Sequence, residues 1–171
     1  KLSTEIKVII PFLITGVIGL TAPILLGGGH ELIMSLGNDS ITLKMLLLFL
    51  FVKFIFTFVC FGSGVPGGIF FPLLVLGSLI GNIFGIVATN VFDIPSMYIL
   101  NFIILAMAGH FASIVKAPIT GIILICEMTG SFDHLLALAI VCVVSYITSD
   151  LLKSEPIYES LLHRWIEKDS H

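Results

Sequence analysis

Gly62-Ser63-Gly64-Val65-Pro66-Gly67-Gly68 runs directly into Ile69-Phe70-Phe71-Pro72, and that order of residue types can hold an anion without a cationic side chain. Pro66 limits the conformation of Val65 and ends the preceding helix. Gly67 and Gly68 let the backbone turn tightly, with only hydrogen beside an approaching ion. The amides of Ile69 and Phe70 then open the next helix, where N–H groups and the positive dipole end gather. Both side chains are hydrophobic, so a polar role at these positions belongs to the backbone. Gly64, Pro66, Gly67, Gly68 and Pro72 form the supporting turn. The competing reading is a glycine-rich surface loop. It is disfavoured because no charge occurs from position 54 to 92 to mark a water-facing segment.

A second candidate is Tyr158 in Ser154-Glu155-Pro156-Ile157-Tyr158. Ser154 can N-cap and Pro156 suits a first turn, which places the tyrosine near another helix N-terminus. Its phenol can donate a hydrogen bond to an anion; composition alone favours an interfacial belt tyrosine. His30 and Glu31 follow a glycine run but lack the H-E-x-x-H spacing of a metal site, which points to a loop or cap role. His110 beside Gly109 reads as a polar group at a helix end. Glu127 and Lys116 flank a short helix, near segment ends where their side chains can reach water. Asn101, Ser145 and Thr148 suit helix–helix hydrogen bonds. Cys60, Cys126 and Cys142 sit in apolar runs without C-x-x-C spacing, as buried thiols do. No metal or cofactor site is expected.

The elements that must position these residues are set by a bilayer. Of 171 residues, 57% are hydrophobic and 11% charged, with mean hydropathy +1.15; soluble domains carry roughly 25% charge. Eight of the 19 charged residues fall in the last 22 positions, and none lies between Lys53 and Asp93 or between Asp93 and Lys116. This is an integral membrane polypeptide with room for about five or six spans. A net charge of −3 is too small to suggest a nucleic-acid partner. Lys1 in place of methionine, and an apolar run opening at Val8, suggest a fragment.

The pattern predicts an all-α chain with helices of mixed length, several broken inside the membrane. Residues 6–26 can span, bent or shortened by Pro11, Gly16, Gly19 and Pro23. Gly27-Gly28-Gly29 is a turn, 30–36 a short segment, and the polar cluster 37–40 precedes a span at 42–61. A second span covers 69–92. Pro95 opens an apolar segment to about 107, which Gly109-His110 interrupts. Pro118 starts a helix to about 128, roughly 12 residues or about 18 Å and too short to cross. Residues 135–152 span, and Pro156 starts a final amphipathic helix, about 156–168. Non-helical backbone at bilayer depth is tolerated only where protein buries it or it lines a polar cavity, and transporters use such discontinuous helices.

These residues resemble the CLC chloride channels and chloride/proton exchangers. Gly68-Ile69-Phe70-Phe71-Pro72 looks like that family's G-x-F-x-P signature. The stretch AGHFASIVKAPITGIILICEMTGSFDHLLAL, residues 108–138, resembles the helix pair that follows it, and EPIYESLLHRW resembles the last membrane helix with its pore tyrosine. The similarity runs from about Phe12 to Arg164. By resemblance, the amides of Ile69 and Phe70 and the Tyr158 hydroxyl line a central chloride site. The partners implied are chloride, the lipid bilayer and a second copy in a homodimer, with interface helices around 118–128 and 135–152. The location implied is an integral membrane, plasma or inner if bacterial.

The family builds each subunit from two inverted halves, and residues 1–171 look like the second half, missing an N-terminal half of the same protein. That first half would supply the G-S-G-I-P motif, the gating glutamate of G-R-E-G-P and the proton-transfer glutamate. The GSG at Gly62–Gly64 is the second-half copy, so channel and exchanger stay undecided. Tyr158 speaks against the fluoride-exporting branch. The alternatives are a transporter of another anion, such as nitrate or fluoride, or an intramembrane enzyme using His30, His110 or Glu127.

Overall fold

The computed structural model describes residues 4–36, 41–64 and 67–169. The polar cluster 37–40, Val65 and Pro66 lie outside the described residues. All regular structure among the described residues is helical, and the chain divides into two compact units, residues 1–103 and 104–171.

In the first unit, α1 (Thr4–Thr21) continues through Pro11 and stops where Pro23 restricts the residue before it. Ala22 there has φ −150° and ψ 69°, and Pro23–Leu25 form a 3-10 turn. Gly27 (φ 60°) and Gly29 (φ 82°) take the left-handed conformation that residues with a Cβ avoid. They deliver the chain into α2 (His30–Ser35). The uninterrupted apolar run then gives α3 (Leu43–Gly62) and, beyond the glycine turn, α4 (Phe70–Phe92).

α4 is the centre of this unit, packed against α2 and α3. Leu74, Val75, Ser78 and Leu79 are fully enclosed. Asn82, also buried, donates from Nδ2 to the Leu36 carbonyl at 3.0 Å. That bond closes the C-terminal end of α2, whose last carbonyls have no helical partner. α4 ends at Asp93 in the left-handed region, and a 3-10 turn at Ser96–Tyr98 leads into α5 (Ile99–Val115).

The expected interruption at Gly109-His110 is absent: α5 runs through both residues to Val115. Gly109 serves contact instead of breaking the helix. A Cβ there would lie 2.8 Å from both Ser145 Oγ and Val141 Cγ1, so glycine lets α5 lie close against α7 (Leu135–Leu151). His110 is therefore inside a helix and not at its end. Lys116, with φ 58°, then breaks α5 ahead of α6 (Pro118–Thr129), where proline occupies the first turn and left-handed Gly130 closes the helix.

Phe111, Ala108 and Ala112 of α5, Ile125 and Cys126 of α6, and Leu138 and Cys142 of α7 make the core of the second unit. The Ser149 hydroxyl donates to the Ser113 carbonyl at 2.7 Å. α8 (Ile157–Asp169) follows. Among the described residues, three segments, Leu43–Gly62, Phe70–Phe92 and Ser96–Val115, are long and apolar enough to cross a membrane. α7, at 17 residues, is shorter than the expected span.

Candidate functional site

The turn between α3 and α4 is built from its ends inward. At the α3 end, the Ser63 N–H donates to Val59 O at 3.1 Å and its hydroxyl to Cys60 O at 2.6 Å, so the serine side chain seals its own helix terminus. Gly64 then reverses the chain with φ 76°. Of the supporting turn, Pro66 lies outside the described residues. Gly67 and Gly68 are exposed and belong to no regular element.

Ile69 is buried and holds the N-cap position of α4 (φ −81°, ψ −22°). Its carbonyl accepts the Leu73 N–H at 3.3 Å, so the hydrogen-bond ladder of α4 begins at Leu73. Pro72, which has no N–H, stands in the first turn, where none is needed. The amides of residues 69–71 thus lie ahead of the ladder, at the positive end of a 23-residue helix. Helix geometry aims them back toward the glycines.

This first turn is gripped from one side. Gly28 lies against Phe71, where a Cβ would approach Phe71 Cβ to 3.2 Å, and Gly29 lies against Val75, at 2.6 Å from Cγ2. Phe70 and Phe71 rings meet edge to face at 5.3 Å. The 27–29 turn is in its turn held by Lys53 of α3. Lys53 is 1% exposed, and its ammonium donates to Leu25 O at 2.8 Å and Gly27 O at 3.0 Å. Lys53 also lines a cleft of about 260 Å³, with Gly67, Gly68 and Pro72 on its wall.

Tyr158 is the second residue of α8, in the second unit, and 54% exposed. The expected first-turn position holds, but the expected cap does not. Pro156 takes the N-cap place, its carbonyl accepting the Ser160 N–H at 3.1 Å. Ser154 instead gives its N–H to Ser149 O at 3.1 Å, closing the end of α7. The structure therefore gathers Ile69, Phe70, Gly64, Gly67, Gly68 and Pro72 in the first unit and sets Tyr158 at a helix start in the second.

The family model described as voltage gated chloride channel matches residues 1–150. The chain belongs to the voltage gated chloride channel family. Among its similar relatives are proteins named H(+)/Cl(−) exchange transporter ClcA. That of Vibrio parahaemolyticus is 40% identical over 154 residues, covering 90% of this chain and 33% of the relative. That of Vibrio cholerae is 44% identical over 153 residues, covering 89% and 32%. The crystal structure of a slow cyanobacterial Cl−/H+ antiporter superposes with a TM-score of 0.82 at 29% identity, over 94% of this chain and 38% of that one. The chain thus spans about a third of the length of the curated relatives it matches.

Within this family member, sequence reading passed over Lys53, using it only as the edge of an uncharged stretch. The signal was present: a lysine in the interior of an apolar span is a functional candidate by default. What the sequence could not supply was its partner turn, 26 and 28 residues earlier. Of the residues considered for catalysis, His30 is exposed at the start of α2 and Glu127 is exposed on α6. The His110 Nε2 is buried with no hydrogen-bond partner among the described residues. No hydrogen bond or ion pair among the described residues joins His110 to Glu127.

Proposed function

We propose that this chain supplies the second half of the anion pathway of a chloride/proton exchange transporter, and that it is not an enzyme. The amides of Ile69 and Phe70 and the hydroxyl of Tyr158 are its chloride ligands. The observation that carries the reading is the space ahead of α4. A Cβ at Gly67 or Gly68 would meet no heavy atom of the described residues within 4 Å, and Gly68 has no left-handed φ. Packing among the described residues calls for glycine at neither position, whereas an ion approaching the helix-end amides does. Dipoles and a phenol replace part of the chloride hydration shell and bind it weakly enough to release it. Exchange is favoured over a passive channel because the relatives and the superposed structure are named exchangers or antiporters. The remaining half of the protein, the lipid bilayer and a second subunit complete the working assembly.

The test is chloride efflux and the accompanying proton movement from liposomes containing the full-length protein. Wild-type protein moves protons against chloride. Tyr158→Phe removes one hydrogen bond to an anion, and the half-saturating chloride concentration rises by about tenfold, the equivalent of about 1.4 kcal/mol. Wild-type flux without Tyr158→Phe sensitivity removes the tyrosine from the site; no wild-type chloride flux removes the whole reading.

A further inference from the structure

In the second unit, α5 and α7 lie side by side and run in the same direction. Gly109 faces Ser145, the Ser113 carbonyl accepts the Ser149 hydroxyl, and Lys116 pairs with Asp150, so the contacts advance along both helices together. Their C-terminal ends, Val115 and Leu151, therefore lie at the same end of the pair. The peptide dipoles put partial negative charge at each of them. Charge also returns to the sequence here, at Lys116, Asp150, Lys153 and Glu155, which places both ends at the water-facing boundary of a bilayer.

A groove of about 390 Å³ opens at this end, with Ser113 of α5 and Val144, Ser145, Thr148 and Ser149 of α7 on its wall. None of the described residues lining it is charged. Ser113, Thr148 and Ser149 donate their hydroxyl protons to the carbonyls of His110, Val144 and Ser113, at 2.8, 2.7 and 2.7 Å. What these oxygens still offer is lone pairs. Acceptor oxygens beside two negative helix ends favour a cationic hydrogen-bond donor, and transporters coordinate cations with helix C-terminal ends in the same way. The rim adds a second requirement. Val144, Ile147 and Leu151 follow helical spacing and are all exposed, so an apolar stripe leads along α7 from the groove. A free inorganic cation makes no use of that stripe, whereas an acyl chain does.

We infer that this groove is a headgroup site for a phospholipid that carries a primary ammonium, such as phosphatidylethanolamine. The ammonium has three N–H donors for the hydroxyl oxygens of Ser113, Ser145 and Thr148, and the acyl chains lie along Val144, Ile147 and Leu151. Lys153, exposed just past the end of α7, is the cation available to the lipid phosphate. A trimethylated headgroup has the same charge but no N–H to donate, so it fits the groove less well. The bound lipid bridges the ends of α5 and α7 beside the Ser149–Ser113 hydrogen bond.

The test reconstitutes the full-length protein with equal amounts of phosphatidylethanolamine and phosphatidylcholine of the same acyl chains. The protein is extracted in mild detergent, and its retained lipid is measured by mass spectrometry. Wild-type protein keeps about tenfold more of the ethanolamine lipid than of the choline lipid. Combining Ser113→Ala, Ser145→Ala and Thr148→Val leaves the Ser149–Ser113 bond in place and brings the two lipids to within about twofold of each other. Should that variant fail to fold, Thr148→Val alone, at an exposed position, lowers the preference by about threefold. Equal retention by the wild type overturns the site, including the case in which an inorganic cation or the rest of the full-length protein fills the groove. A preference that is unchanged in these variants overturns it as well. Neither outcome depends on chloride flux, so the site and the transport reading fail separately.

Discussion

The glycines of the turn at 62–68 and the glycines of the helices do opposite work. In α5, Gly109 is crowded: a Cβ would stand 2.8 Å from two atoms of α7. Gly121 of α6 would place one 3.3 Å from Phe111 Cδ1, and Gly85 of α4 would place one 3.3 Å from the Ile99 backbone. These glycines exist so that helices can approach, as small residues do wherever apolar helices pack without a hydrophobic difference from lipid. Gly67 and Gly68 have nothing within 4 Å among the described residues. The contrast teaches that a glycine in a membrane helix protein has two readings that sequence does not separate. Space filled by a neighbour means packing, whereas space left open at a helix N-terminus is what the proposed ion site requires.

The sharpest way to break this contrast is to fill both kinds of space. Gly109→Val drives a branched side chain into Ser145 and Val141. Overpacking of this kind costs about 1–3 kcal/mol, and the detergent-solubilised full-length protein should unfold at a clearly lower temperature or fail to express. A Gly109→Val protein with wild-type thermal stability would show that α5 and α7 do not lie as close as described.

Gly68→Ala comes next and should separate stability from transport. With open space around it and no left-handed φ, alanine changes stability by no more than about 0.5 kcal/mol. Its methyl group nevertheless stands ahead of the α4 amides, and chloride turnover in liposomes falls by about tenfold, a barrier change of about 1.4 kcal/mol. A large loss of stability would move Gly68 into the packing class. Unchanged flux would leave the open space without a role.

The two classes also mark how far the sequence could be read. Helix limits were legible where glycine, proline or charge bounds an apolar run: 42–61 against the observed Leu43–Gly62, 69–92 against Phe70–Phe92, and Pro118 to about 128 against Pro118–Thr129. The amide-bearing start of α4 was legible for the same reason. The break expected at Gly109-His110 was not there, because a glycine that destabilises a helix locally is retained when a neighbouring helix needs its surface. Ser154 failed as a cap because Pro156 sits nearer the helix start and Ser154 is already engaged with Ser149. The hold of Lys53 on the 27–29 turn was not legible, because its partners, the carbonyls of Leu25 and Gly27, are brought to it by tertiary structure.

Lys116 sharpens the comparison from the other side, since it holds a left-handed backbone (φ 58°) that glycine would adopt without strain. Its side chain offsets that strain: Nζ lies 2.7 Å from Asp150 Oδ1 and 5.9 Å from the centroid of the Tyr146 ring. With the partners 13% and 63% exposed, the pair contributes at most about 1 kcal/mol. The left-handed conformation costs a residue with a Cβ about 1–2 kcal/mol relative to its relaxed state. Lys116→Met loses the ion pair and keeps the strain, so it should be the less stable variant, by up to about 1 kcal/mol relative to wild type. Lys116→Gly loses the same pair and relieves the strain, and it should unfold at or near the wild-type temperature despite the greater chain entropy of glycine. If Lys116→Gly is instead the weaker of the two, the side-chain stem supports the α5–α6 corner more than its backbone strains it. A conformational need for glycine would then be outweighed by packing, as it is at no glycine of the 62–68 turn.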